Sequence, residues 1–327
     1  MKKPSIKLYF LLFPLAIVLA FFANKLTNYK SEAKSLNILN GTISYADDPA
    51  GYYKKTLIKS FSPEPDWQPA EDFGTSTQPI ISGESALMVD LNSGKILFDK
   101  NPTQRMKIAS ITKIMTAIVA LEHEKLDAKI YVTKHAAYVG EDTMYLTAGE
   151  VYTLHELLYG LFLNSGNDAA YAIADGIAGD SDTFVKWMNM KAQELGLNNT
   201  KFTDPSGLDD DTYSTAEDLI KLARYALKNP DFRDIVKTHD IELKSDTHKD
   251  LFLENETNLL TSYPGVEGIK TGYTEEAGLC LVTYAENGGK RLLGVVLKSM
   301  DRKGDMVLML DHSFETLGIT VIHPGFF

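Results

Sequence analysis

Cysteine and clusters of basic residues are the scarcest features of this sequence. A single cysteine, Cys280, occurs in 327 residues, so the chain cannot form an internal disulfide. Histidines and cysteines do not cluster at metal-ligand spacings, and we predict no metal site. The 44 acidic residues outnumber the 33 basic ones, which gives a net charge of −11. Because phosphate binding needs clustered lysine and arginine, nucleic acid is not expected as a partner.

Long apolar runs are also scarce, with one exception near the N-terminus. The run from Leu8 to Ala23 holds 16 uncharged residues and follows a basic start with Lys2, Lys3 and Lys7, a layout typical of export signals. As a helix it spans about 24 Å, slightly less than the hydrocarbon core of about 30 Å. We predict that residues 1–23 are a signal peptide or a membrane anchor at the N-terminus, and the sequence leaves both open.

Residues 24–78 have weak apolar periodicity and become rich in proline, serine and acidic residues towards their end. We predict a flexible linker there. Residues 79–327 are predicted to fold, since 44% of the chain is hydrophobic and 10% aromatic, enough to bury a core. The chain ends about ten residues after its last predicted helix, so we expect no further β-rich domain.

Strand patterns lie at both ends of the predicted domain. Ser85 to Lys100 and Leu279 to Ser299 each contain two β-type runs, around the turn signals NSG and NGG. The stretch from Tyr263 to Tyr273 predicts a further short strand. We therefore predict an α+β domain in which both chain ends build one antiparallel sheet.

Helical patterns fill the middle of the domain and its C-terminal end. Capping boxes are predicted at Thr153 with Glu156 and at Ser214 with Glu217, each followed by an apolar helical run. A final helix is predicted over DRKGDMVLMLDHSFETLG. These helices are expected to flank the sheet, with a large helical insert joining its two halves.

The segment IASITKIMTAIVAL, from Ile108 to Leu121, is apolar on every face and predicts a buried helix. Its one charge is Lys113, three residues after Ser110, and this spacing puts both on one helix face. A buried, unpaired ammonium tends to lose its proton, and a neutral amine beside a hydroxyl is a general base beside a nucleophile. Taken alone, the S-x-x-K pattern also fits a helix whose lysine reaches solvent.

Two further patterns follow in the chain. LNSGNDAA places Ser165 and Asn167 in a break between two predicted helices, which also fits ordinary helix capping. IKTGYT places Lys270, Thr271 and Gly272 on a predicted strand, where a cation and a hydroxyl can hold a carboxylate while the strand pairs with an extended peptide. Alone, it also fits a strand end with a solvated lysine. The order S-x-x-K, S-x-N, K-T-G is the pattern of penicillin-binding proteins and class A β-lactamases, with S-G-N here as its middle member.

With these motifs, and with stretches such as MVDLNSGKILFDKN and FTDPSGLDDDTYSTAEDL, the sequence resembles the serine-type D-alanyl-D-alanine carboxypeptidases, the low-molecular-mass penicillin-binding proteins. The resemblance runs from about Pro79 to about Leu317. It implies the penicillin-binding protein/β-lactamase-like fold, with a five-stranded antiparallel sheet and a helical cluster. It also implies a site without metal or organic cofactor, and a location outside the cytoplasm, at the membrane or in the cell wall.

The resemblance implies acyl transfer to Ser110, which attacks the bond between the last two D-alanines of a peptidoglycan stem peptide. Lys113 would take the serine proton, and water would then release the acyl-enzyme. Ser165 and Asn167 would relay protons and hold the substrate amide. β-Lactams, which mimic the terminal dipeptide, are expected to acylate Ser110.

The same resemblance assigns the substrate-binding strand. Lys270 and Thr271 would bind the terminal carboxylate, beside Gly272. The backbone N–H groups of Ser110 and Tyr273 would form the oxyanion hole.

Three alternatives share this fold. A β-lactamase needs a second base for deacylation, and no convincing glutamate segment of that kind follows S-G-N. A transpeptidase uses the same site but joins peptides. A catalytically silent wall-binding protein would lack motif residues, all of which are present here.

Overall fold

The computed structural model describes residues 53–54, 56–70 and 77–324. The strands are β1 (Ser85–Asp90), β2 (Ile96–Lys100), β3 (Met106–Lys107), β4 (Lys129–Tyr131), β5 (Val151–Thr153), β6 (Tyr213–Ser214), β7 (Asp240–Leu243), β8 (Leu251–Glu254), β9 (Val266–Thr274), β10 (Gly278–Asn287) and β11 (Lys290–Ser299). The helices are α1 (Lys113–His123), α2 (Lys134–Ala137), α3 (Leu154–Leu163), α4 (Asn167–Ala178), α5 (Ser181–Glu194), α6 (Ala216–Ala226), α7 (Pro230–Val236), α8 (Leu259–Ser262) and α9 (Arg302–Thr316).

Five strands form one antiparallel sheet in the order β2-β1-β11-β10-β9. The two ends of the folded chain therefore meet in one sheet, which confirms the α+β prediction. Pairs β3-β6, β4-β5 and β7-β8 form small separate ribbons among the helices.

Strand β1 is buried along its whole length because helices cover both faces of the sheet. Leu87 and Val89 face the larger core, which includes α1 and α6, whereas Ala86 and Met88 face a second core under α9. This alternation is the period of two that a strand imposes. The sheet thus stands between two apolar layers, and its β9 edge lies next to the turn that precedes α1.

Helix α1 is buried on every side, as the apolar segment predicted. It contacts α3, α4, α5 and α6, so it lies at the centre of the helical part. The capping box at Thr153 and Glu156 is confirmed, with both reciprocal hydrogen bonds present. The second predicted box is wrong by one residue, because Thr215 rather than Ser214 caps α6 and accepts from the backbone of Asp218.

Part of the predicted linker packs against the helices, which corrects its boundary. The Tyr53 ring lies 4.6 Å from the His123 ring, and the Phe61 ring lies 6.2 Å from the Tyr225 ring. Glu64 forms ion pairs with Arg224 (2.7 Å) and Lys228 (2.5 Å), and Trp67 stacks on the Arg224 guanidinium. Aromatic side chains with apolar partners bury surface that a free linker would leave in water.

The rest of the predicted linker, namely residues 24–52, Lys55 and residues 71–76, lies outside the described residues. So does the predicted signal or anchor at residues 1–23. Among the residues that the structure does describe, no helix is both long and apolar enough to cross a membrane.

Candidate active site

Ser110 lies in a 3-10 turn, Ala109–Thr112, that leads directly into α1. Lys113 is the first residue of that helix and is completely buried. Its Nζ lies 2.8 Å from Ser110 Oγ. The sequence spacing predicted that the two groups would meet, and the structure brings them into hydrogen-bonding contact.

The Lys113 amine has two further contacts, and both partners are carbonyl oxygens. Nζ donates to Asn167 Oδ1 at 2.7 Å and to the backbone oxygen of Ser206 at 2.9 Å. Burial lowers the pKa of Lys113 to about 7, and the positive charge of Lys270 acts in the same direction. Near neutral pH a substantial fraction of this amine is therefore uncharged.

Asn167 begins α4, directly after the break that follows α3. Its Nδ2 donates to the backbone oxygen of Gly140 at 3.1 Å, so its Oδ1 faces Lys113. The carboxylate of the next residue, Asp168, accepts from the backbone N–H groups of Met144 and Leu146, both at 2.9 Å. This buried carboxylate fixes the loop that orients the Asn167 amide.

Ser165 occupies the break itself and is buried, with a left-handed φ of 53°. It precedes Gly166, and a Cβ on that glycine would lie 3.1 Å from the backbone oxygen of Gly160. No hydrogen bond joins Ser165 to Lys113 or Ser110 within the part of the chain that the structure describes. The structure thus places Ser165 two residues before Asn167, without a hydrogen bond to the Ser110–Lys113 pair among the described residues.

The Ser206 carbonyl is held by a turn that the motifs did not predict. The buried Asp204 carboxylate accepts from the backbone N–H of Ser206, Gly207 and Asp209 and from the Ser206 hydroxyl, at 2.5–2.7 Å. Gly207 has a φ of 85°, and a Cβ there would lie 1.9 Å from the backbone oxygen of Ala109. Only glycine lets this turn pass so close to the serine's own turn.

Lys270, Thr271 and Gly272 lie on β9, at the edge of the sheet. Lys270 is buried, and its Nζ lies 3.4 Å from Thr271 Oγ1. A Cβ on Gly272 would lie 3.2 Å from the backbone nitrogen of Ser110, so β9 runs alongside the serine turn. Tyr273 follows with an exposed side chain.

Two charged residues outside the three motifs act on this strand. Arg302, at the start of α9, donates to the backbone oxygen of Gly272 at 2.9 Å. Glu256 accepts from Thr271 Oγ1 at 3.5 Å. Burial lowers the pKa of Lys270 to about 8, with the Glu256 carboxylate opposing that shift and Arg302 adding to it. Burial therefore lowers the pKa of both lysines of this site.

A comparison with family models places residues 73–301 in the D-alanyl-D-alanine carboxypeptidase family of S11 peptidases. The match covers more than half of the chain. The chain belongs to this peptidase family.

Individual members of the S11 family agree with that assignment. The chain is 39% identical over 255 residues to the D-alanyl-D-alanine carboxypeptidase DacF of Bacillus subtilis, covering 75% of this chain and 66%, just under two thirds, of the relative. It is 37% identical over 259 residues to the D-alanyl-D-alanine carboxypeptidase of Streptomyces sp. K15, covering 73% of this chain and 89% of the relative. The crystal structure of the Streptomyces K15 DD-transpeptidase matches with a TM-score of 0.70 at 37% identity, covering 73% of this chain and all of that one.

Within this S11 site, the motifs identified three groups that the fold brings to one place, around Ser110, Asn167 and Lys270. They gave no indication of the Ser206 carbonyl, Arg302 or Glu256. The segment DPSG could have indicated the turn that holds the Ser206 carbonyl, because an aspartate before Pro-Ser-Gly is typical of a tight turn. No sequence pattern indicated Arg302 or Glu256, because neither belongs to a local motif that includes β9. Across the described ranges, no three acidic, histidine or cysteine residues converge as a metal site.

Proposed function

We propose that this chain removes the terminal D-alanine from peptidoglycan stem peptides by way of a covalent acyl-enzyme on Ser110. Membership of the S11 family supports the reaction class. The roles given below to individual residues are part of the proposal.

The contacts of the Lys113 amine are the observation that carries it. A neutral amine has two hydrogens and one lone pair, and two of its three partners here are carbonyl oxygens that can only accept. If those carbonyls take both hydrogens, the lone pair is left facing Ser110 Oγ at 2.8 Å. The site is thus arranged for Lys113 to accept the Ser110 proton rather than to donate one.

Acylation then follows from this arrangement. Ser110 Oγ attacks the carbonyl of the penultimate D-alanine, and its proton passes to Lys113. The backbone N–H groups of Ser110 and Tyr273 stabilise the negative oxygen, which is consistent with the close approach of β9 to the Ser110 nitrogen. When the C–N bond breaks, the proton goes to the amine of the departing D-alanine.

Binding and deacylation use the remaining groups. Charged Lys270 and the Thr271 hydroxyl hold the terminal carboxylate, and Asn167 holds the substrate amide while Ser165 assists proton transfer. After D-alanine leaves, water attacks the ester and gives a proton to Lys113, which returns it to Ser110 as the C–O bond breaks.

A second reaction of the same site is peptide joining, in which an amine replaces water. The Streptomyces K15 relative carries both names, DD-transpeptidase for its crystal structure and D-alanyl-D-alanine carboxypeptidase for its sequence. We propose hydrolysis as the main reaction here, and adding an acceptor amine to the assay measures the share of transfer.

Peptidoglycan lies outside the cytoplasmic membrane, so the proposal requires export. Residues 1–23 supply it as a cleaved signal or a retained anchor. Fractionation of producing cells, followed by N-terminal sequencing of the mature protein, separates these two forms.

The direct test is D-alanine release by the purified protein. A peptide ending in D-Ala-D-Ala should release D-alanine, and the matched peptide ending in L-Ala should not. A β-lactam should add its mass to the protein, and peptide mapping should place the adduct on Ser110. Rapid β-lactam hydrolysis without any D-alanine release would instead identify a β-lactamase.

A further inference from the structure

An open groove of about 430 Å³ lies beside the active site. Its charged and aromatic lining consists of Arg105, Lys107, Lys201, Asp210, Asp211 and Tyr213. We call it the upstream groove. None of these residues belongs to the three catalytic motifs.

The upstream groove begins where the substrate-binding strand ends. Asp210 Oδ1 accepts from the hydroxyl of Thr274, the last residue of β9, at 2.8 Å. Lys107 lies on β3, three residues before Ser110, and its backbone oxygen is 3.9 Å from the sulfur of Cys280, which pairs with Gly272. The groove therefore lies next to the catalytic cleft, at the end of β9.

The order of groups on β9 gives the direction in which a substrate runs, and this step rests on the proposed function. The terminal carboxylate binds at Lys270 and Thr271, and the scissile carbonyl lies between Ser110 and Tyr273. Residues upstream of that bond then continue past Thr274. Beyond Thr274 lies the upstream groove.

The lining of the groove is ordered by two strand pairings. Lys107 pairs with Tyr213, and Tyr213 pairs with Lys201 through backbone hydrogen bonds of 2.9 and 3.1 Å. Directly opposite residues of antiparallel strands share a face, so Lys107, Tyr213 and Lys201 form one row. Arg105 completes the row, because its guanidinium lies 5.1 Å above the Tyr213 ring.

The charges of this row favour an anion. Arg105 is fixed by two hydrogen bonds to Asn199 Oδ1, at 3.2 and 3.1 Å, which leave its other N–H groups for a ligand. The Lys107 ammonium donates to the backbone oxygen of Asp210. The Lys201 side chain is exposed to solvent. Three cations against two aspartates give a net positive groove on a chain of net charge −11.

We propose that the upstream groove binds a free carboxylate of the stem peptide, upstream of the scissile bond, through Arg105 and Lys201, with Tyr213 packing against the peptide. A glutamyl residue linked through its side chain leaves such a carboxylate on its α-carbon. The groove thereby selects stem peptides whose upstream acid is free over those in which it is amidated.

Two synthetic pentapeptides test this inference, identical except that the upstream glutamyl residue carries a free carboxylate or a carboxamide. The wild type should give a ratio of kcat/KM, acid over amide, of about ten, the size expected of charge-assisted hydrogen bonds at a partly exposed site. The ratio should fall towards one in Arg105→Gln/Lys201→Gln, and also in the wild type at high salt. The matched control Lys237→Gln/Lys244→Gln removes two exposed cations elsewhere and should keep the wild-type ratio.

A wild-type ratio near one, or a ratio that the groove variant leaves unchanged, overturns the inference. An equal loss on both peptides shows that Arg105 supports structure only, and also overturns it. A short peptide that ends in D-Ala-D-Ala and lacks the upstream acid separates this inference from the proposed function. If the wild type releases no D-alanine from any of the three peptides, the proposed function fails, and calorimetric binding of the two pentapeptides still decides the groove.

Discussion

Replacing Lys113 by methionine is expected to lower kcat/KM for D-alanine release by about 10³-fold, within the range of roughly 10²–10⁴ usual for a general base. Methionine has a similar length and no basic nitrogen, so Ser110 loses the only amine in contact with its hydroxyl among the described residues. The adduct with a β-lactam should form more slowly by a similar factor, which stopped-flow mass spectrometry measures directly.

Two controls separate lost chemistry from lost folding. The variant Ser110→Ala gives the background rate of D-alanine release, because it lacks the nucleophile. Lys113→Met should unfold cooperatively, with a free energy of unfolding within about 2 kcal/mol of wild type. The reason is that two lost hydrogen bonds to carbonyls are opposed by removal of a buried amine. A folded Lys113→Met protein with more than a tenth of wild-type activity would contradict the assigned role.

Replacing Lys191 by methionine is expected to lower the free energy of unfolding by about 3–5 kcal/mol, the usual cost of leaving a buried charge without its partner. The Lys191 ammonium is fully buried and lies 2.8 Å from Glu122 and 2.7 Å from Glu194. It also lies 5.5 Å from the ring centre of Tyr225, whose hydroxyl donates to Glu122. This cluster also joins Tyr53, from the N-terminal stretch, to the helices, because the Tyr53 hydroxyl donates to Glu194 at 3.4 Å.

The loss of unfolding free energy in Lys191→Met should depend on pH. A loss that came only from a cavity would not. Burial raises the pKa of Glu122, and the Lys191 charge opposes that rise. Without Lys191 the native protein therefore holds a proton on Glu122 to higher pH, so the destabilisation should grow as pH increases from about 5 to about 8. Urea unfolding at several pH values measures this destabilisation.

The control Lys244→Met removes an exposed ion pair with Glu242 and should lower the free energy of unfolding by less than about 1 kcal/mol. An equal loss in both variants, or a loss independent of pH, would contradict this reasoning.

The sequence predicted that Ser110 and Lys113 would meet because the relevant information is local. Ser110 and Lys113 are three residues apart, which puts them on one helix face, and the surrounding segment is apolar and therefore predicts a buried helix. The five-stranded sheet could be predicted for a similar reason, because the strands and turn residues of each hairpin are adjacent in the sequence. The helix start at Thr215 was missed because Ser214 and Thr215 are both good caps, and only the backbone conformation distinguishes them.

The remaining features depend on contacts between distant segments. The third hydrogen-bond partner of Lys113 is the backbone oxygen of Ser206, 93 positions away. Every residue has a backbone oxygen, so the sequence does not show which one is used. Arg302 lies 30 positions after Gly272 and donates to the carbonyl of that residue from the start of α9. The packing of Tyr53 and Phe61 was missed because proline and acidic residues around them are typical of a linker, whereas their aromatic partners lie on α1, α5 and α6.

The pH dependence of kcat/KM for D-alanine release tests the central claim most directly, since kcat/KM covers the steps up to acylation. Lys113 must be uncharged to accept the Ser110 proton, so the rate constant should rise as pH increases through about 7, the lowered pKa of its amine. Lys270 must be charged to hold the substrate carboxylate, so the rate constant should fall as pH increases through about 8, the pKa of that second lysine. We therefore expect a bell-shaped profile whose rising limb lies well below the ordinary pKa of a lysine side chain. A rise that continues beyond about pH 9, towards the ordinary lysine pKa of about 10.4, would show that Lys113 is not the neutral base proposed here.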